Sequence, residues 1–361
     1  MSAIPELDGV ATADEVRATA EHLASLQLDT GMIPWFPGGH CDPCNHVESA
    51  MALDVSGLHR EAEAAYEWLH DTQRPDGSWH AYYHCDGSVE DAKLDTNVCA
   101  YIATGVWHHW RSTWDRGFAD NLWPTVERAL EFVLAQRRAD GLSLWAVEPE
   151  GTRPWDYALM TGTSSIQHAL RCGAHLGDAL GDPKPHWYDA AAEMTESVRH
   201  RPDAFESKAR WAMDWYYPVL TGAMTGDEAK ARMNDGWDRF VMEGQGIRCV
   251  DDEPWVTASE TAECAIAFAT IGDLDTATDL LRWTRTHRRD DGSYWTGIVY
   301  PVPGGKHDAP VLFPDDEHTS YTAAAVILAI AAITSTPTAA NLFVSCSTAP
   351  RPPCSPRGRG C

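Results

Sequence analysis

The sequence predicts an all-α protein built as an (α/α)6 toroid, a closed ring of six helical hairpins, and three observations carry that expectation. Amphipathic segments alternate six times with charge-poor segments rich in Ala, Ser, Thr, Cys and Gly. The charge-poor segments begin roughly 45 to 65 residues apart, a repeat period in the range of helical-hairpin arrays. No hairpin at either end has the polar capping face that an open solenoid needs.

The hairpins follow in chain order. Residues 14–28, 61–72, 121–137, 186–199, 229–243 and 276–288 place apolar side chains at helical spacing on one face and charges on the other, as half-exposed outer helices do. The segments between and after them, 45–58, 96–110, 162–176, 213–224, 257–271 and 319–333, are nearly free of charge past their first turns. Helices of that kind must be covered on most sides, and closing the ring covers all six. Several outer helices run into one type of turn: Gln73-Arg-Pro-Asp-Gly-Ser-Trp79, Gln136-Arg-Arg-Ala-Asp-Gly141 and Arg288-Arg-Asp-Asp-Gly-Ser-Tyr-Trp295. Asp-Gly supplies a positive φ at little cost, and the aromatic that follows packs back as a staple between repeats.

This unit resembles the repeat of the terpenoid cyclase and protein prenyltransferase α/α toroid superfamily. Tyr66 to Trp79 is its best copy, and Asp316-Glu-His-Thr-Ser-Tyr321 is similar to the opening of the last inner helix of prenyltransferase β subunits. The resemblance spans residues 14–334 and implies a transferase or cyclase acting on an isoprenoid in an aromatic cavity. Two parts of that pattern are missing. His318 matches the histidine of the family's zinc site, but the fifth inner helix opens Trp255-Val-Thr-Ala-Ser-Glu260, without the Asp-x-Cys pair, and no Asp-x-Asp-Asp tetrad occurs.

Composition narrows the partners. Acidic residues number 53 against 28 basic, a formal charge of −25 that repels nucleic acid and anionic membrane surfaces. No apolar run is long enough for a membrane span, no signal peptide opens the chain, and the ten cysteines are scattered, several within inner helices, so a cytoplasmic protein with reduced core thiols is expected. Residues 335–361, rich in Pro, Ser and Arg, are expected to be a disordered tail after a 1–334 toroid domain.

In such a ring every inner helix starts at the same end, so the residues around those starts converge on one mouth. The candidate catalytic acids are Asp95, Asp214, Glu260, Glu263 and Asp316. Asp95 and Asp316 also fit the simpler part of helix N-caps, whereas Glu260 and Glu263 interrupt a helix of small apolar residues, and a sheltered acid there needs a reason. Trp35, His46, Glu48, Trp79, Asp156, Trp215, Tyr216, Trp255, Trp295 and His318 are candidate substrate-binding groups. His40-Cys-Asp-Pro-Cys-Asn-His46 spaces two thiols as a soft-metal site would, but they cannot close a site without ligands from elsewhere, so no cofactor is assigned and Zn2+ and Mg2+ stay open as alternatives. Two chemistries use a mouth of this kind on a small-molecule substrate. One is acid-assisted isoprenoid chemistry beneath aromatic faces, the prenyltransferase-like or terpenoid-cyclase-like reading. The alternative is a glycoside hydrolase that sets paired carboxylates about a sugar, with Asp95, Asp214, Glu260 and Asp316 as the candidates. A catalytically silent binding module on the same ring is the third reading.

Overall fold

Outer and inner helices alternate in the computed structural model as the spacing requires, over the described residues 4–334. In chain order they are α1 (Ala13–Ser25), α2 (Pro43–Val55), α3 (His59–Thr72), α4 (Thr96–Ala100), α5 (Ile102–Thr113), α6 (Arg116–Ala135), α7 (Met160–Leu180), α8 (Pro185–His200), α9 (Ala212–Leu220), α10 (Gly226–Phe240), α11 (Ala258–Thr270), α12 (Leu274–Trp283) and α13 (Ser320–Thr334). The inner ring consists of α2, the pair α4 and α5, α7, α9, α11 and α13. Each packs on the next, and α13 returns onto α2, so the ring is closed. The expected (α/α)6 toroid is the observed fold. The expectation for residues 335–361 lies outside the described residues.

Burial follows the two segment types. On α1 one stripe, Val16, Thr19, Ala20 and Leu23, is buried, whereas α13 is buried almost all round. Close packing of inner helices needs small residues: a Cβ on Gly105 of α5 would stand 2.4 Å from the Val47 side chain of α2. The starts are capped by side chains that satisfy the free N–H groups of a first turn. Thr12 and Glu15 form a capping box on α1, and Asp42, Asp95 and Asp115 cap α2, α4 and α6.

The repeated turn is a structural staple. Gln73 donates from Nε2 to the carbonyls of Gly77 and of Thr125 on α6, both at 2.9 Å, and Gln27 does the same for Gly31 and for Glu61 of α3. Gly77 has φ +91°, and a Cβ there would meet the Arg128 carbonyl oxygen at 2.3 Å. Trp79 is fully buried, its indole N–H on the Leu69 carbonyl at 3.0 Å, so it packs the staple and does not reach the mouth.

Short strands, which the helical repeat does not announce, join the hairpins. Residues β1 (Tyr82–Tyr83), β2 (Val89–Asp91), β3 (Leu94–Asp95) and β4 (Ala146–Val147) form two small antiparallel pairs. Five more, β5 (Val241–Met242), β6 (Gly246–Arg248), β7 (Trp255–Thr257), β8 (Gly297–Val299) and β9 (Val311–Leu312), form an antiparallel sheet in that order. β3 runs into α4 and β7 into α11, so the strands aim the loops of the mouth.

At the far end of α2 from the mouth, Asp54 is buried among three histidines. His59 and His109 bond its carboxylate at 3.0 Å, and His108 Nδ1 lies 3.8 Å away. Burial alone would raise the Asp54 carboxyl, but the neighbouring imidazole of His108 and the hydrogen bonds of His109 and His59 override it and hold the group well below the usual carboxylate range. A depressed carboxylate stabilises the fold above its unfolded pKa, and this contribution is lost as pH falls through the folded value. Asp54→Ala is expected to cost about 3 kcal/mol in urea unfolding at neutral pH, since it strands buried imidazoles. A cost below about 1 kcal/mol would show the cluster to be energetically idle.

Candidate active site

Three carboxylates stand at the level where the inner helices begin. Asp42 accepts the N–H groups of Cys44 and Asn45 on Oδ1, both at 3.0 Å, and the Trp35 indole N–H on Oδ2 at 2.7 Å. Burial pushes its carboxyl up from the ordinary aspartate value against the pull of those donors. Asp95 caps α4 through the N–H groups of Asn97 and Val98 at 2.9 and 3.2 Å, and burial pushes it up to about 6. Glu260, in the first turn of α11, accepts from the Thr257 hydroxyl, from the Ser259 hydroxyl at 2.8 Å and from the Cys249 thiol at 3.2 Å.

Two more lie deeper. At 1.5 Å of rise per residue, Glu48 is about 9 Å further along α2 than Asp42, and Glu263 about 4.5 Å further along α11 than Glu260. Glu48 accepts the Tyr101 hydroxyl at 2.9 Å, and burial pushes it up to about 7. Glu263 accepts the hydroxyls of Tyr216 and, at 3.2 Å, Tyr217. Burial and then the facing charge of Glu48 raise it well above the ordinary glutamate value. The partner that shifts Glu263 most is therefore Glu48 on α2, one inner helix beyond α13, with Glu260 of its own helix contributing less. None of these five carboxylates has a Lys or Arg ion pair among the described residues.

Two further side chains tie the levels together. The Cys44 thiol is raised by burial and then by the charges of Glu48, Asp42, Asp95 and Glu263. Tyr321 stands on α13, the helix that packs on both α2 and α11, and its hydroxyl is raised by burial and then by the charges of Glu260, Glu317 and Asp42. Trp35 meets Tyr321 edge-on at 4.9 Å and Tyr82 at 5.9 Å, which makes an aromatic collar beside Asp42.

The structure brings together Trp35, Glu48, Asp95, Tyr216, Glu260 and Glu263 from the sequence candidates. The others lie elsewhere. Asp316 is exposed in a left-handed turn at φ +56°, and Asp156 is exposed on its loop. Asp214 accepts the Thr161 hydroxyl at 2.9 Å and opens into a side cavity of about 750 Å3 that outer helix α10 also lines, beside the ring. His46 uses both ring nitrogens on backbone groups, the Ile33 N–H at 3.1 Å and the Ala65 carbonyl at 2.8 Å, and so joins α2 to α3. Trp215 stacks on Phe240 with its indole on the Arg232 carbonyl. His318 turns toward His22 of α1 and packs on Trp295, which lies under the Arg289 guanidinium. Trp255 lies half-buried on β7. Of the two motif thiols, Cys41 is fully buried and Cys44 faces the acids, and among the described residues no group of three or more His, Cys, Asp or Glu is arranged to hold a metal ion. No helix among the described residues is long and apolar enough to cross a membrane.

Asp42, Cys44, Tyr101, Tyr217 and Tyr321 are the members that the sequence candidates missed. The argument that singled out Glu260, an acid in a small-residue helix, applies equally to Glu48 and would have raised it from a binding group to a titrating one.

The chain is 46% identical over 343 residues, 95% of its length, to the MMP endo-(1,4)-3-O-methyl-alpha-D-mannosidase of Mycolicibacterium hassiacum, covering 92% of that protein. Among solved structures its fold is similar to a wild-type glycosidase (TM-score 0.71, 14% identity, 90% of this chain and 96% of the other). It is also similar to a sugar epimerase from a ruminal bacterium (TM-score 0.61, 14% identity, 87% and 98%). No family model matches the chain. The expected kinship with terpenoid cyclases and protein prenyltransferases, and with it a transferase acting on an isoprenoid, is overturned by the 46% identity to a mannosidase. What carried that resemblance was the Gln, Asp-Gly and Trp staple, which here packs one hairpin on the next and touches no site. The alternative expectation, a glycoside hydrolase, is the one that stands: the chain belongs to the glycosidase family of the mycobacterial endo-mannosidase.

Proposed function

We propose that the chain hydrolyses internal α-(1→4) linkages in chains of 3-O-methyl-D-mannose, with Asp42 as proton donor and Glu260 as base. The observation that supports this reading is the placement of Asp42 at the N-cap of α2 and Glu260 in the first turn of α11, two inner helices that begin at the same end of the ring and both pack on α13, the helix that carries Tyr321. An internal linkage must lie where the chain can leave in both directions, and acids at the starts of the inner helices suit that better than acids further along them.

Glycoside hydrolysis needs one carboxyl that keeps its proton and one that takes a proton from water. Asp42 suits the first part because burial raises it. Its proton passes to the glycosidic oxygen as the bond to the anomeric carbon breaks. Glu260, its oxygens fixed by Thr257, Ser259 and Cys249, accepts a proton from the water that attacks that carbon. One water is consumed, the leaving sugar gains a hydroxyl hydrogen and the new reducing end gains the hydroxyl. Trp35, Tyr82 and Tyr321 offer faces for a sugar ring beside the donor, and Asp95 offers an acceptor for its hydroxyls.

The test is incubation with a purified α-(1→4)-linked 3-O-methyl-D-mannose oligosaccharide, with product lengths followed by mass spectrometry. Mid-length fragments in the earliest samples are expected. Release of single terminal sugars alone, or an intact oligosaccharide, would overturn the reading.

A further inference from the structure

Outside the ring, the loops around β7, β8 and β9 enclose a groove of about 600 Å3. Trp211 and Phe313 stand on it 41% and 50% exposed, unusually open for rings of that size. Trp255 meets Phe313 edge-on, centroids 5.3 Å apart, and its indole N–H holds the Phe313 carbonyl at 3.0 Å, so the two rings are fixed relative to each other. Tyr300, Val250 and Val299 complete a floor with few polar groups. The charges at the rim are already matched: Arg210 pairs with Asp252 at 2.8 Å, and Lys306 with Glu253 at 3.3 Å. A groove of this kind repels neither sign and attracts neither, so its chemistry fits a neutral ligand with apolar faces.

It also lies near the start of α11. Trp255 opens β7, the strand that runs directly into α11, and only roughly 10 Å of strand and helix rise separates it from Glu260. We propose that this groove is a distal subsite that holds the O-methylated glycan beyond the bond being cleaved, Trp211 and Phe313 stacking on successive sugars; this rests on the substrate reading above. The methyl ether supplies the reason for aromatics here. Each 3-O-methyl group removes a hydroxyl donor and adds apolar area, so a methylated chain loses more contact with water on stacking than an unmethylated one does.

The experiment uses the full chain, its Trp211→Ala and Phe313→Ala variants, and α-(1→4)-linked 3-O-methyl-D-mannose oligosaccharides of increasing length. For the longest chains each variant is expected to raise KM roughly tenfold, the effect of about 1.4 kcal/mol of lost contact. The rise is expected to shrink as the oligosaccharide shortens, and kcat to follow the wild type. Trp211→Tyr, which keeps a flat ring, is expected to restore most of the loss. Wild-type cleavage with the same KM in all variants at every length would overturn the groove and leave the substrate assignment standing. No wild-type cleavage at any length would overturn the substrate assignment, and the groove with it.

Discussion

Glu260→Gln is expected to lower kcat on a cleavable oligosaccharide by about 10²- to 10⁴-fold, the usual range for loss of a general acid or base. The amide keeps the shape and one oxygen for the donors from Thr257 and Ser259, so the melting temperature is expected to stay at the wild-type value. It cannot take a proton from water. Steady-state rates beside a thermal melt check this. Wild-type turnover in the variant would remove Glu260 from the chemistry and pass the base to Asp95 or Glu263, two further carboxyls of the site.

Asp42→Asn is the complementary loss. Asn is as good an N-cap as Asp, so α2 keeps its start. The donor disappears, and kcat is expected to fall about 10²-fold or more. The pH profile carries the sign. Asp42 is raised by burial, so it holds its proton to higher pH than an exposed aspartate, and the wild-type rate is lost as pH rises through that value. In the variant this alkaline limb is expected to vanish. An activated aryl glycoside, whose leaving group needs no proton, is expected to recover much of the rate in Asp42→Asn and none in Glu260→Gln. Equal rescue in both variants would show that the roles are misassigned.

The ring was legible because its two helix types differ in composition. An inner helix such as α11, almost wholly Ala, Ser, Thr, Cys and Ile, has no solvent face to announce, and an outer helix such as α1 has one buried stripe. Strands of two or three residues, such as β3 and β7, are too short to show alternation, so the sheet that steers the mouth was silent. Within the site, acids inside small-residue helices were legible because burial of a carboxylate is costly. Asp42 was not singled out, since a cap and a proton donor look alike until burial and the Trp35 contact are known. Asp316 failed for the opposite reason: its position before α13 suggests a mouth acid, but a left-handed turn puts it in solvent. Tyr101, Tyr217 and Tyr321 depend on helix phase, which repeat spacing fixes only to within a turn.

The central claim is that the sugar chain is cleaved between Asp42 and Glu260 at the open level of the ring. A crystal structure of Glu260→Gln with a 3-O-methyl-D-mannose oligosaccharide tests it directly. The account predicts one glycosidic oxygen within hydrogen-bonding distance of Asp42, the anomeric carbon facing residue 260 across a single water, and the chain running out past Tyr321 on both sides. A chain seated instead in the side cavity by Asp214, or an end sugar buried against Glu48 and Glu263 with no linkage at Asp42, would contradict it.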